Sequence, residues 1–309
     1  MLAKTEHYLL QVGPFCFDVA TDIPVLKDYI TQHYLPYSRQ PLPQAGTECF
    51  IDYYLSVQQS RGLRRQFKPQ AHFCFNHHTH FHPMPLEQAH LALEWGMNWV
   101  IATQAHQYLI IHAASLEKDG QGVIITAPSG SGKSTLSAYL VAQGWQLLSD
   151  EHALVELTTL TMPSLNRPIN LKNDAIDVIA PFFSQTDFSA RVMTNHKGRI
   201  SLLKPAMQPL HKVTPTLLVF IQYNPDEVLF VEPVDKALAL TEVIHNSFNL
   251  GLLNRQGFMT ARDLTTACDA LYIEYSDLSA CEAQLRQALL RKKKHEDPDR
   301  CAYHTTTTH

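Results

Sequence analysis

Residues 122–157 read GVIITAPSGSGKSTLSAYLVAQGWQLLSDEHALVEL, and this stretch decides the fold class. Its first residues are apolar and β-branched, which predicts a buried strand. A loop rich in serine and glycine follows, and then an apolar segment that predicts a helix ending near Gly144. Residues 146–149 and 153–157 have the composition of two further strands. Strands that alternate with helices over 107–290 predict an α/β protein with a layered core.

The loop between the first strand and the helix matches the pattern G-x-x-x-x-G-K-[ST] except at Ala127. Gly130 and Gly132 can take backbone angles that are forbidden to other residues, so that successive N–H groups cradle phosphate oxygens. The following helix adds the positive end of its dipole. Lys133 would reach the β- and γ-phosphates, and the Ser134 hydroxyl would coordinate Mg²⁺. The residues predicted to contact a nucleotide are Ala127, Pro128, Ser129, Gly130, Ser131, Gly132, Lys133, Ser134 and Thr135.

Ala127 stands where the pattern has a glycine. A methyl group is tolerated there if the backbone stays in the β region. The alternative interpretation is a serine- and glycine-rich loop that only happens to precede a lysine. The strand before the loop and the helix after it favour phosphate binding.

Two acidic residues, Asp150 and Glu151, directly follow the strand after the helix. We expect this strand to lie beside the first one in a doubly wound sheet, with its carboxyl end at the same crevice. Asp150 would then lie near the γ-phosphate, where a carboxylate can take a proton from an attacking hydroxyl or hold Mg²⁺. The alternative is a turn whose two acids are solvated.

The loop SGSGKST, followed by the run GWQLLSDE, resembles HPr kinase/phosphorylase, a family of bacterial serine kinases with a loop related to that of PEP carboxykinase. The stretches LEWGMNWVIATQAHQYLIIHAA, INLKNDAIDVI, NSFN and YSDL are similar to the group called HprK-related kinase A. The resemblance extends from about residue 8 to 290. It implies a P-loop, HPr kinase/PEP carboxykinase-like core with a mixed sheet, preceded by a β-rich N-terminal section.

The resemblance also implies roles for individual residues. Lys133 would be the phosphate lysine, Ser134 a Mg²⁺ ligand, Asp150 the base toward the substrate hydroxyl, and His112 a catalytic-region histidine. Glu151 is a second candidate Mg²⁺ ligand. From the residues alone, His112 lies in an apolar strand, which favours a hydrogen-bonded core histidine. Residues 170–178 depart from the family, since its glycine-rich signature and metal-binding glutamate have no clear equivalent there.

Three sections follow from the whole pattern: a β-rich part over 1–84, the P-loop kinase core over 85–290, and a disordered tail over 291–309. In the first section we predict strands at 8–12, 15–19, 50–57 and 71–75. A helix with one apolar face follows Pro85. Residues 108–114 and 122–127, with an Asp119-Gly120 turn signal between them, predict a hairpin.

Composition excludes several classes of protein. A net charge of −4, with 45% hydrophobic and 17% charged residues, is ordinary for a globular chain and argues against disorder. The near-neutral balance predicts no nucleic-acid binding. We also expect no membrane span, because no apolar run of about 18 residues occurs. The six separated cysteines include no CxxC pair, and together with the lack of a signal-peptide pattern they predict a cytoplasmic protein.

Two polar clusters have competing interpretations. The histidines between residues 72 and 82 could hold a divalent metal, but the rim of a hairpin explains them as well. Lys197 and Arg199 are candidate phosphate clamps, for which a solvated basic turn is the alternative.

The leading hypothesis is an ATP- and Mg²⁺-dependent kinase that transfers the γ-phosphoryl group to a hydroxyl. The resemblance implies a serine of a small partner protein, PqqD-like or HPr-like, as the acceptor, and a homo-oligomeric assembly. One alternative is a non-catalytic nucleotide-binding regulator, which Ala127 and the missing metal glutamate favour. Another is a small-molecule kinase that acts on free serine or a sugar.

Overall fold

A computed structural model describes residues 4–34, 50–60, 67–128, 130–190, 192–194, 198–204 and 209–296. Its α-helices are α1 (Pro24–His33), α2 (Ala89–Gln104), α3 (Lys133–Ala142), α4 (Asp174–Ile179), α5 (Lys236–His245), α6 (Leu250–Ala267) and α7 (Leu278–Glu296). Short 3-10 helices cover Leu86–Gln88, Ala180–Phe182 and Gln185–Asp187. None of the helices in the described part is both long and apolar enough to cross a membrane.

The N-terminal strands are β1 (Glu6–Val12), β2 (Phe15–Thr21), β3 (Tyr53–Gln59), β4 (Gln70–Phe75), β5 (His78–Thr79) and β6 (Met84–Pro85). The strands that follow are β7 (Tyr108–Ile111), β8 (Ala114–Lys118), β9 (Gln121–Thr126), β10 (Gln146–Ser149), β11 (Ala153–Glu156), β12 (Met162–Pro163), β13 (Ile169–Lys172), β14 (Val192–Thr194), β15 (Gly198–Leu203), β16 (Lys212–Val213), β17 (Pro215–Tyr223), β18 (Leu229–Pro233) and β19 (Asp269–Tyr275). The protein is therefore a mixed α/β protein, as the sequence predicts.

The N-terminal sheet has the order β1-β2-β3-β4-β5, with β6 also paired to β4. Strands β2 and β3 are parallel, which requires a crossover between them, and α1 lies in that connection. The sequence analysis did not predict α1. Helix α2 packs on the same sheet so closely that a Cβ on Gly96 would lie 2.0 Å from the Phe73 ring. The section boundary that the sequence predicts after residue 84 thus falls between the N-terminal sheet and helix α2, which covers that sheet.

The central sheet has the order β10-β8-β9-β17-β19-β18. Our expectation that β10 lies directly beside β9 is wrong, because β8 lies between them. The reason is the turn at Asp119 and Gly120, both with positive φ, which folds β8 back onto β9 as an antiparallel hairpin. Since β10 is antiparallel to β8, it still runs parallel to β9. The carboxyl ends of β9 and β10 therefore open at the same edge, as predicted.

Strand β7 does not belong to that hairpin. It pairs with β11 in a separate two-stranded ladder, so the predicted hairpin forms from β8 and β9 alone. At the other end of the chain, α7 continues to Glu296, past the predicted limit of the core at residue 290. Residues 297–309 of the predicted tail lie outside the described residues.

Helices cover both faces of the central sheet, because successive side chains of its strands point to opposite sides. Val123 and Ile125 of β9 join a core cluster that includes Leu136 of α3 and Leu285 of α7. Ile124, between them, joins a second cluster with residues of α5 and α6. Burial on both faces explains why β9 is a continuous apolar run and not an alternating one.

A buried ionic network joins the N-terminal part to the core. Arg167, in the segment before β13, forms an ion pair with Glu94 of α2. The Arg167 guanidinium also donates to Asn98 Oδ1 at 2.6 Å, and the Tyr29 hydroxyl donates to the Glu94 carboxylate at 2.9 Å. Every charge in this network is paired, which is the condition for burying it without a large desolvation penalty.

Candidate active site

We call the segment between β9 and α3, residues 127–132, the glycine loop, and the structure describes all of it except Ser129. Gly130 and Gly132 have φ of +88° and +84°, the left-handed conformation that the sequence predicts for them. Gly132 is also the N-cap of α3, so the backbone turns directly from the loop into the helix. Ala127 is buried and has no positive φ, which removes the conformational objection to a methyl group there. The Ser131 N–H donates to the Pro128 carbonyl at 3.2 Å.

The first turn of α3 reaches the end of β10. The Lys133 ammonium donates to the backbone carbonyl of Asp150, and its Nζ lies 3.9 Å from Asp150 Oδ1. The Ser134 hydroxyl donates to Asp150 Oδ2 at 2.9 Å. Thr135, in the same turn, is half-buried. Three of the predicted site residues thus converge, while Ser129 lies outside the described residues.

Asp150 is almost completely buried, with 3% of its surface exposed. Burial raises the pKa of its carboxyl group, since the charged form loses solvation. The charge of Lys133 works in the opposite direction, and the neighbouring carboxylate of Glu151 adds to the rise. A carboxylate with a raised pKa is a better proton acceptor than a solvated one, which is the property that a general base requires.

Glu151 and His112 form a second pair, with Nε2 of His112 and Oε2 of Glu151 3.4 Å apart. Burial works to raise the pKa of Glu151, but the hydrogen bond from His112 and the charges of Lys133 and Lys172 outweigh it, so this pKa is lowered. His112 follows the end of β7, and its side chain is 40% exposed. The interpretation of His112 as a core histidine inside a strand is therefore wrong.

Sequence reasoning assigned no role to three further residues near this pair. The Phe248 ring lies between the rings of His112 and His152, at centroid distances of 5.5 and 5.3 Å. Burial lowers the pKa of His152 to about 3, so its ring is neutral. Asn249 accepts from the Ile110 N–H at 3.0 Å and donates to the Tyr108 carbonyl at 2.8 Å. The NSFN motif contains Phe248 and Asn249, and His152 directly follows the GWQLLSDE run, but these motifs gave a likeness and no contacts.

The oxygen atoms at this edge of the sheet suit a hard cation. Ser134 Oγ and Asp150 Oδ2 are adjacent, and Glu151 supplies the next carboxylate along the chain. Mg²⁺ takes few protein oxygens and completes its shell with water and phosphate oxygens. A hydroxyl and one or two carboxylates therefore fit this ion without a larger cluster of acids. No group of three or more histidine, cysteine or acidic residues suited to a metal occurs in the described part of the chain.

The two polar clusters lie elsewhere. His72 Nε2 is 2.8 Å from the Ser60 hydroxyl, and the His80 ring lies on Trp99 at a centroid distance of 4.4 Å. Arg199 lies in strand β15 and not in a turn, and it forms surface ion pairs with Asp177 at 2.7 Å and Asp174 at 3.7 Å. Lys197 is outside the described residues. A cavity of about 960 Å³ lies between α1 and residues 183–190, and its described lining includes none of the glycine loop.

Comparison with known proteins gives a partial match and a distant one. Residues 73–161 match the family described as SynChlorMet cassette protein ScmC. This segment begins within β4 and ends just before β12, it includes the glycine loop and Asp150, and it is well under half of the chain. ScmC is a different family description from HPr kinase/phosphorylase, which the sequence resembles. No curated protein matches the sequence.

Among solved structures, the chain is similar to the HPr(Ser) kinase/phosphatase from Coxiella burnetii. The identity is 14% and the TM-score 0.31, over 63% of this chain and 99% of that one. At this TM-score the likeness supports no argument about fold or activity. The case for a function therefore depends on the site itself.

Proposed function

We propose that this protein is an ATP- and Mg²⁺-dependent kinase that transfers the γ-phosphoryl group to a hydroxyl, with a serine of a small partner protein as the acceptor. One observation carries the proposal. Lys133 and Ser134, which begin α3 directly after a loop with two left-handed glycines, both contact Asp150 at the end of β10. A phosphate lysine, a hydroxyl ligand and a buried carboxylate are the groups that phosphoryl transfer uses.

Each group has a defined task in this proposal. The N–H groups of the glycine loop and the N-terminus of α3 bind the phosphates, and Lys133 neutralises their charge. Ser134 holds Mg²⁺, which when bound neutralises charge on the phosphate oxygens. Asp150 accepts the proton of the attacking hydroxyl. Such catalysis consists mostly of positioning and charge stabilisation, so the geometry of these groups determines the rate.

The contact between Lys133 and Asp150 has a second consequence. In the structure, the ammonium group donates to the backbone carbonyl of Asp150. Incoming phosphates compete for the same ammonium, so nucleotide binding and release of the Asp150 carbonyl are coupled. Glu151 is held by His112. We therefore assign His112 the task of positioning Glu151, and Glu151 the task of a second Mg²⁺ ligand.

The resemblance to HPr kinase/phosphorylase supports the choice of a serine hydroxyl and of a PqqD-like or HPr-like protein as the acceptor. It also supports a cytoplasmic homo-oligomer. The non-catalytic regulator remains the second candidate, since Ala127 departs from the phosphate-loop pattern. The small-molecule kinase is the third.

Incubation of the pure protein with γ-labelled ATP, Mg²⁺ and a bacterial lysate separates the three candidates. The proposal expects label in a protein band as phosphoserine. Label in free serine or a sugar would support the small-molecule kinase. ATP binding without any transfer would support the regulator. Lys133→Ala serves as the inactive variant, and Lys68→Ala, an exposed lysine outside the site, serves as its matched control.

A further inference from the structure

Tyr275 ends β19, in the middle of the core cluster beneath α3. It is 1% exposed, and within the described residues its hydroxyl has no hydrogen-bond partner. Burial raises the pKa of this phenol far above its ordinary range, so the group keeps its proton and can act as a donor. A buried hydroxyl that makes no hydrogen bond is uncommon in a native protein and calls for an explanation.

The hydroxyl of Tyr275 faces the glycine loop. A Cβ atom added to Gly132 would lie 2.9 Å from Tyr275 Oη and 3.4 Å from the Cβ of Tyr223. On the same side of the loop, Ser131 Oγ donates to Gln222 Oε1 at 3.1 Å. The ends of β17 and β19 thus form a floor under the loop. Ser131 already has its partner on this floor, whereas Tyr275 offers a donor that none of the described residues accepts.

A loop that binds phosphate turns its N–H groups inward, toward the anion. Its carbonyl groups then point outward, and any that are buried need a donor, because a buried carbonyl without one is destabilising. The Tyr275 hydroxyl, next to Gly132, is a donor on this side of the loop.

We propose that Tyr275 is a positioning residue for phosphate binding, whose hydroxyl donates a hydrogen bond to a backbone carbonyl within residues 130–132 when a nucleotide phosphate is bound at the N-terminus of α3. This inference rests on the proposed function. It explains why a hydroxyl is kept at a position where a phenylalanine would satisfy the packing of the core.

The test compares Tyr275→Phe with the wild-type protein in two measurements. Thermal unfolding without nucleotide should show an unchanged or higher midpoint, because the variant removes an unsatisfied polar group. Calorimetric titration with Mg·ATP should show an affinity that is weaker by about three- to tenfold, the effect of one neutral hydrogen bond. Tyr272→Phe is the matched control, since its hydroxyl lies on the same strand and already donates to Glu274 at 3.3 Å. It should leave the affinity for Mg·ATP unchanged.

Equal affinity of Tyr275→Phe and wild type for Mg·ATP would overturn the inference and leave the proposed function intact. Absence of binding by the wild type would overturn both. If Tyr275→Phe unfolds or loses stability without nucleotide, the inference is tested instead by the affinity for Mg·ATP of a protein with monofluorinated tyrosine at position 275. The hydroxyl of this residue is more acidic and is therefore a stronger donor. The inference then expects tighter binding of Mg·ATP than wild type, and no change would contradict it.

Discussion

The hydroxyl of Ser134 donates to the carboxylate of Asp150 over 2.9 Å, although the two residues belong to different elements, α3 and the end of β10. Strand β8 lies between β9 and β10 and is antiparallel to both, so β9 and β10 run in the same direction. Both chain segments therefore leave the sheet at the same edge. This arrangement brings a candidate metal ligand and a candidate base together.

Replacement of Asp150 by Asn should separate binding from chemistry. The amide can still accept from Ser134, but it cannot take a proton from a hydroxyl. We expect the rate of phosphoryl transfer to fall by about 10²–10⁴-fold, with an affinity for Mg·ATP within a few-fold of wild type. Single-turnover transfer from labelled ATP and calorimetry measure the two quantities. A variant that keeps the wild-type rate would remove Asp150 from the mechanism.

The stability difference between Asp150→Asn and wild type should depend on pH. The pKa of Asp150 is raised above its ordinary value of 3.8, so the folded state holds this proton more tightly than the unfolded state. Stability from this group is present at low pH and is lost as pH rises through the folded-state pKa. The variant should therefore gain stability relative to wild type as pH rises above about 4. Denaturant unfolding from pH 3 to 8 checks the sign, and a difference that does not vary with pH would contradict it.

Glu151→Gln should show the opposite dependence. The pKa of Glu151 is lowered from 4.5, so its contribution to stability is complete above that value and is lost as pH falls through the folded-state pKa. We expect the variant to be less stable than wild type by about 1–3 kcal/mol at pH 7, with a smaller difference in acid. Glu232→Gln, on the exposed edge strand β18, is the matched control. An equal loss of stability at all pH values would argue against the pair with His112.

Two glycines of the loop allow a test of the floor beneath it. Both Gly130→Ala and Gly132→Ala place a side chain at positive φ, at a cost of about 1–2 kcal/mol. The new Cβ at Gly132 also meets Tyr275 Oη, whereas a Cβ at Gly130 has no contact within 4 Å in the part of the chain that the structure describes. Gly132→Ala should therefore lower the free energy of unfolding more than Gly130→Ala. In a Tyr275→Phe background the two losses should become similar, and a persistent difference would mean that the hydroxyl is not the obstacle.

The free energy of unfolding of Asn249→Ala should be about 2–3 kcal/mol lower than that of wild type, because two buried backbone groups of β7 lose their partners. Asn254→Gly is its control. Asn254 has φ of +50° and ψ of −128° inside α6, a conformation that glycine adopts more easily, so this variant should be neutral or slightly stabilising. Chemical denaturation of both proteins measures the difference. Equal stability of Asn249→Ala and wild type would show that the two bonds contribute nothing.

The sequence was sufficient to predict the features that depend on neighbouring residues. The glycine loop, the left-handed glycines and the helix that begins at Lys133 follow from a pattern within eight positions, 127–134. The proximity of Asp150 to Lys133 follows from the expected parallel course of β9 and β10 in a doubly wound sheet, whose strands open onto one crevice at their carboxyl ends.

Features that depend on distant contacts could not be predicted in this way. Periodicity shows which face of a segment is buried but not which partner covers it, so it did not reveal that β8 separates β9 from β10. The same limit applies to the packing of α2 on the N-terminal sheet. Phe248, Asn249 and Tyr275 reach the site from more than 90 residues along the chain from Asp150, and nothing in their local sequence indicates those contacts.

The central claim is that the glycine loop binds a nucleoside triphosphate, and calorimetric titration of the wild-type protein with ATP at millimolar Mg²⁺ tests it most directly. The account predicts saturable heat with one site per chain for wild type and Lys68→Ala, and a large loss of affinity for Lys133→Ala. Folded wild-type protein that gives no heat with ATP or GTP, or that binds equally well without Lys133, would contradict it.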